Sequence, residues 1–450
     1  MFAFRKTIRR GMLFAIIAAF YGPISSRAME RGDHSILRMH FDCNAAGWDT
    51  LFWEAPEPGK IEMVRIANAF LLGEKEFAHL SSFGNIRDLR LLDIGGPNGD
   101  FHERLSVEDF TAAMKSLSSL ENVVLTRIQA DYALQAISAN HGIQDIYLER
   151  ATGFSANGTR HLQVLPKLHS LHISVDDHSP LTDDMLFDIG KCFELNELML
   201  QIQPHKELNL GGLGAVIGGL PITKLGLFGI PLTDESFSAL LRQLPNLEFL
   251  SIEHDEIPVD SIVKIAELGK LAELYLDSSS PFNDHLAMLL PKLLLLKTLS
   301  IGEYLSDEGM PWLADIPGLE RLYIGGSKIT DMGLRAYAAK SPEIQWLSLE
   351  QADISDAGLL SIDGLTQLRI FRASSATNIT DLGVSILANI HSLEAVHLPK
   401  CRNITSRGIE KLASAENMKR ITVGMNSEFS DESVNVLIAK FPNINFQFRE

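Results

Sequence analysis

The apolar positions of this chain return in one fixed figure, L-x-x-L-x-L. It reads LHSLHI from Leu168, LNELML from Leu195, ITKLGL from Ile222, LEFLSI from Leu247, LAELYL from Leu271 and LKTLSI from Leu296. It goes on with LERLYI from Leu319, IQWLSL from Ile344, LRIFRA from Leu368, LEAVHL from Leu393 and MKRITV from Met418, at a spacing of 23 to 27 residues. Looser copies stand earlier, at Ile86, Leu120 and Ile143, so about fourteen units are expected. The alternation at the end of each figure has period two. It predicts a short strand whose last two apolar side chains turn inward while the residue between them turns out.

Between the strands the pattern changes to helical spacing, as in LTDESFSALLRQLP, ITDMGLRAYAAKSP, ISDAGLLSIDGL, ITDLGVSILANI and ITSRGIEKLASA. In Ile329–Thr330–Asp331–Met332–Gly333–Leu334, Thr330 is placed to cap a helix. Its hydroxyl accepts from a free N–H of the first turn, and Asp331 puts negative charge at the positive end of the helix dipole. Ile329 and Leu334 then stand where a hydrophobic staple forms. Glycine occupies the site where a capping box carries an acid, which predicts tight packing of that turn against its neighbour.

A strand, a turn and a capped helix of this size cannot bury their own apolar side, so stacking of like units must build one continuous core. The unit resembles the leucine-rich repeat, and within that family the cysteine-containing, ribonuclease-inhibitor-like subclass. That subclass has repeats of about 25 residues and an Ile/Leu–Thr/Ser–Asp–x–Gly–Leu/Met/Val helix start, and the match covers about residues 84 to 450. The resemblance implies an α/β fold: a right-handed leucine-rich-repeat solenoid, or horseshoe, with parallel strands on the concave face and short helices on the convex face. It also implies ligand recognition as a class of function. In that subclass one cysteine often follows the strand and another ends the helix. Cys401 and Cys192 fall at those places and read as small buried fillers.

Two stretches depart from the pattern. GGPNGDFHERLSVEDF, at 95–110, lengthens one unit and is expected to loop out. QIQPHKELNLGGLGAVIGGLP, at 201–221, lacks the Thr–Asp cap and reads as a softer helix that packs through small residues. Residues 29–83, with Trp48, Trp53 and a stretch of helical spacing, are expected to cover the open end of the solenoid, and 84–450 to form the repeats. The last strand, INFQFRE, leaves an edge on which a second copy is able to pair.

The chain has 450 residues, 46% hydrophobic and 22% charged, with a formal charge of -17, a composition that folds. Residues 1–28 have a basic start, an apolar run of about a dozen residues from Met12 and the small-x-small figure Ser26–Arg27–Ala28. They read as an export signal cleaved near Ala28, which implies a secreted, periplasmic or cell-envelope protein. The run falls short of the roughly 20 residues of a spanning helix, so no stable membrane insertion is expected after cleavage. An uncleaved anchor and a twin-arginine route, suggested by Arg9–Arg10, stay open. Cleavage removes Arg5, Lys6, Arg9, Arg10 and Arg27 with no acid, leaving a charge of -22. With no basic stripe to oppose that charge, nucleic acid is not an expected partner.

Side chains free of packing duty are the candidates for function. The position between the strand leucines, with those just before and after it, brings Phe249, Glu253, Tyr275, Asp277, Tyr323, Trp346, Glu350 and Arg372 to one face. These are aromatic anchors within an acidic rim, which predicts a protein or peptide partner of basic character. The competing reading of such aromatics is strand propensity alone. A second cluster, RHLQVLPKLHSLHISVDDH, holds His161, His169, His172, His178, Asp176 and Asp177. A metal-dependent hydrolase would use the His169–His178 stretch, but the repeat register sets these residues at different strand and loop positions, which predicts solvated side chains. No nucleophile elbow, phosphate loop, dinucleotide fingerprint or zinc-helix motif occurs, and no cofactor is implied. The expectation is therefore a non-catalytic recognition protein. The alternative is an intracellular F-box-like substrate adaptor, which relatives of this repeat subclass suggest and which needs an N-terminal docking helix pair.

Overall fold

A computed structural model describes residues 29–31, 37–43, 60–94, 106–175, 182–201, 210–230, 233–254, 259–278, 284–302, 305–325, 328–424 and 431–449. The expected export signal and most of the 95–110 insertion lie outside the described residues. The chain divides into two compact units. One comprises Met1–Ile222 with Gly226–Pro231, the other Thr223–Leu225 with Leu232–Glu450.

In the first unit seven strands lie side by side in chain order, each parallel to the next: Leu37–Asp42, Ile61–Ala67, Asp88–Leu91, Asn122–Thr126, Asp145–Ala151, Ser170–Val175 and Glu197–Gln201. Met29–Arg31 pairs antiparallel to the first of them. Parallel pairing thus crosses residue 84, where the repeats were expected to begin, and two of these strands fall in the stretch expected to be a cap. LRMHFD and IEMVRIA carry strand alternation but not the leucine spelling, which is why the sequence pattern passed over them. The described residues of this stretch form strands and the short helix Glu74–Leu80, a repeat-like arrangement rather than a pair of docking helices.

In the second unit the parallel series is Phe249–His254, Glu273–Ser278, Thr298–Ile301, Arg321–Gly325, Trp346–Glu350, Ile370–Ser374, Ala395–Leu398, Arg420–Gly424 and Asn445–Arg449. Its register is the one the alternation predicts. Leu250, Leu274, Leu299, Leu322, Leu347, Phe371, Val396 and Ile421 stand opposite one another and are wholly buried. Parallel strands need a crossover between them, and here a short helix supplies it. Each unit is an α/β solenoid of the leucine-rich-repeat type.

The helix starts follow the sequence. Thr330, Ser355, Thr380 and Thr405 accept from the N–H two residues on, at 3.1 to 3.2 Å. The staple pairs Ile329 with Leu334, Ile354 with Leu359, Ile379 with Val384 and Ile404 with Ile409 are wholly buried.

The aspartate after each cap has a larger part than its own helix dipole. Asp307 reaches the next unit, where its carboxylate accepts from Thr330 N–H at 2.8 Å and from the Thr330 hydroxyl at 2.6 Å. The same two-point grip joins Asp284 to Ser306, Asp331 to Ser355, Asp356 to Thr380 and Asp381 to Thr405, linking consecutive units of the second half. In the first unit the same joint runs from Asp131 to Ser155.

These joints explain the glycine of the motif. A Cβ at Gly358 would fall on the Asp331 carboxylate, and one at Gly383 on that of Asp356. The Gly383 N–H also donates to Asp356 at 2.9 Å. The glycine is needed for close approach by the neighbouring unit, not for its own backbone conformation.

Cys43, Cys192 and Cys401 are free and buried. Burial pushes the Cys192 thiol up to about 12 and the Cys401 thiol up to about 11, so both are inert fillers rather than reactive groups. The helix Leu210–Ile217 forms without the Thr–Asp cap. A Cβ on Gly190 of the preceding turn would strike Val216, the close approach that small residues permit. Among the described residues no helix is long and apolar enough to cross a membrane.

Candidate recognition face

Because side chains alternate along a strand, Phe249, Ser251 and Glu253 share the outward face of their strand. The register extends this to two rows across the second unit. One row runs Phe249, Glu273, Thr298, Arg321, Trp346 and Ile370, and the other Ser251, Tyr275, Ser300, Tyr323, Ser348 and Arg372. Tyr275, Tyr323, Trp346, Glu350 and Arg372 are all partly exposed here, so the structure brings these expected site residues to one surface.

Their packing differs from a row of free anchors. Ser251, Ser300 and Ser348 face outward yet are no more than 3% exposed. Outward serines are covered to that degree only when taller neighbours lean over them. The rings do so in pairs: Phe249 and Tyr275 have centroids 5.4 Å apart, and Tyr323 and Trp346 5.3 Å. Such tilted contacts suit aromatic quadrupoles and hold the rings in place.

The arrangement corrects the expectation for Phe249. It is 3% exposed, a floor beneath its neighbours rather than a projecting anchor. Glu253 stays on the partly exposed surface. Asp277 stands opposite Glu253 in the backbone register, but its side chain lies outside the described residues.

The polar groups of the face are mostly matched. Tyr275 donates from its hydroxyl to Glu273 at 3.0 Å, a partner that sequence reading passed over although it lies two residues away on the same side of the strand. Burial raises the Tyr275 phenol, and the Glu273 carboxylate adds to the effect. Burial also pushes Tyr323 up to about 12, with the Arg321 guanidinium pulling the other way. Arg372 is ion-paired with Glu350 at 2.8 Å. Among the described residues of the face two donors are left over: Trp346 Nε1 and Arg372 Nε are buried and have no acceptor there.

The described histidines of the second cluster do not converge on one site. The His172 ring meets Tyr147 edge-on at 4.2 Å, and its Nε2 donates to Glu197 Oε1 at 2.7 Å. His169 donates from Nδ1 to the Lys167 carbonyl at 2.8 Å. Asp176, Asp177 and His178 lie outside the described residues. Among the described residues no group of three metal-ligating side chains comes together. Nearby, burial raises the Asp145 carboxyl, and Glu197 reinforces it.

No family model matches the chain, and no curated protein matches it in sequence. Solved structures do resemble it. An internalin from Listeria monocytogenes aligns at 18% identity over 76% of this chain and 88% of its own, with a TM-score of 0.42. A chain of the Rad7 and Elc1 complex of yeast aligns at 15% identity over 98% of this chain and 88% of its own, with a TM-score of 0.41. A leucine-rich-repeat protein of Leptospira interrogans aligns at 16% identity over 90% of this chain and 99% of its own, with a TM-score of 0.38.

Proposed function

We propose that this is an exported, non-catalytic recognition protein, and that it docks a protein partner on the outward strand face of its second unit, around Tyr275, Tyr323, Trp346 and Arg372. One observation carries the reading. Neighbouring parallel strands hold these side chains on a single surface, half-covered, pre-stacked and backed by buried serines. Pre-ordered aromatic and arginine side chains lose little freedom on binding, which is why they dominate interface energetics. Export is inferred from the basic-then-apolar leader of residues 1–28. The cysteine-containing, ribonuclease-inhibitor-like subclass is inferred from the repeat length and the Thr–Asp–x–Gly helix start.

The expected basic character of the partner rested on Glu253, Asp277 and Glu350, of which Glu350 is paired with Arg372 within the face. Glu273 and Glu350, the acids nearest the aromatics, already have partners within it. The F-box-like adaptor and the metal-dependent hydrolase gain no specific observation in their favour.

The test is capture of partners from the extracellular or envelope fraction of the native source, comparing wild type with Tyr323→Ala and Trp346→Ala. Each substitution is expected to weaken binding by more than about 1 kcal/mol while leaving the folded state intact. Equal recovery of every partner by all three proteins contradicts the assignment.

A further inference from the structure

Arg321, Trp346 and Arg372 lie on three consecutive strands of the second unit. Arg321 stands directly opposite Trp346, and Arg372 is one strand further on, opposite Ser348. All three are donors and none is an acceptor. Arg321 is exposed, and no carboxylate is ion-paired with it among the described residues. Trp346 Nε1 and Arg372 Nε are buried and have no acceptor among the described residues.

Buried donors left unmet are rare in folded proteins, and each calls for an explanation. Here two of them stand on adjacent strands, on the same face as the exposed Arg321 and the stacked Tyr323 ring. What the cluster lacks is an acceptor, and the group that best meets two guanidinium forks and an indole N–H is a carboxylate. We infer that this face recognises an acidic segment of its protein partner, one that sets a glutamate or aspartate carboxylate among Arg321, Trp346 and Arg372 while apolar neighbours rest on Tyr323 and Tyr275. This deepens the docking reading above and depends on it.

Glu350 fits the inference as an internal stand-in. Its carboxylate occupies one edge of Arg372, at 2.8 Å, in a pair whose two side chains are 42% and 32% exposed. An exposed pair of this kind is weak, so an incoming carboxylate takes over part of the Arg372 fork at little cost. The chain as a whole is acidic, at -17, but charges beyond about 8 Å are screened at physiological ionic strength. The side chains in contact therefore decide the preference, and here they are donors.

An array of random hexapeptides with acetylated and amidated ends removes the terminal charges and gives a defined probe. Wild type is expected to select peptides enriched in Asp and Glu next to apolar residues. In the selected peptides, Glu→Gln or Asp→Asn weakens binding by roughly tenfold or more, as does the R321Q/R372Q double variant of the protein. Both sites are on the surface, so the variant keeps its thermal midpoint. Enrichment in Lys or Arg, no enrichment of acids, or undiminished binding of acidic peptides by R321Q/R372Q overturns the inference. Tyr323→Ala separates the two levels. If it abolishes binding of selected peptides that carry no acid, the docking face stands and the acidic partner falls. If it leaves binding of acidic peptides untouched, both fall.

Discussion

At the scale of single residues, neighbours rather than intrinsic chemistry decide what each side chain does. Tyr323 and Tyr337 are both tyrosines of neighbouring strand and helix positions, yet Tyr337 is wholly buried in the core while Tyr323 shares a surface with Trp346. The Tyr323 phenol, held up to about 12 against an ordinary value of 10.0, links that surface to alkaline stability. A group whose proton is held more tightly in the folded chain stabilises it fully below the unfolded value. That stabilisation fades as pH rises through the folded value. Unfolding free energy is therefore expected to hold up to about pH 10 and to fall between about 10 and 12, and the decline is expected to be smaller in Tyr323→Phe. Difference absorbance of tyrosinate, wild type minus Tyr323→Phe, reads the ionisation directly. A Tyr323 phenol that ionises at its ordinary value contradicts the packing described for the face.

At the scale of the element, the joint between units is the recurring device. The sequence shows its letters plainly: Thr or Ser, Asp, then Gly. Read within one unit, the aspartate is a helix-dipole residue and the glycine a missing capping acid. Only the stacked structure reveals that Asp356 serves Thr380 of the next unit and lies where a Cβ of Gly383 would be. A contact between residues of different units leaves little local pattern; the motif glycine, read as close packing against a neighbour, and the regular spacing were its traces. Asp356→Ala removes a charged acceptor from three donors, the Thr380 N–H and hydroxyl and the Gly383 N–H, and is expected to cost roughly 2–3 kcal/mol in denaturant unfolding. Asp315→Ala, which loses only an exposed ion pair with Lys340, is expected to cost less than about 1 kcal/mol. Equal costs would mean that the joint contributes no more than a surface pair. The same grammar bears on the sequons Asn378–Ile–Thr and Asn403–Ile–Thr. Their threonine hydroxyls are committed to Asp356 and Asp381, as repeat caps require.

At the scale of the molecule, the division of labour was largely legible beforehand, because inward and outward positions differ by a single residue along a strand. Every inward position of the second unit follows the predicted register, and the residues between them form the surface rows. What the pattern could not convey was height. Small serines beside tall rings let Phe249 sink, and of the expected acidic rim Glu350 is spent on Arg372 while two donors of the face go unmet among the described residues. The strands before residue 84 were passed over for a different reason, since Leu37, Met39 and Phe41 in one and Ile61, Val64 and Ile66 in the other do not spell the L-x-x-L-x-L figure.

The central claim is that stacking consumes one side of each strand and leaves the other to recognise a partner. Site-specific photocrosslinking in the native source tests it most directly, with a benzophenone amino acid placed at Tyr323 on the strand face or at Met332, 72% exposed on the helix Asp331–Ala338. A covalent adduct with a partner protein from position 323 and none from 332 is the predicted result. An adduct from 332 with none from 323 would place recognition on the helices and contradict the account.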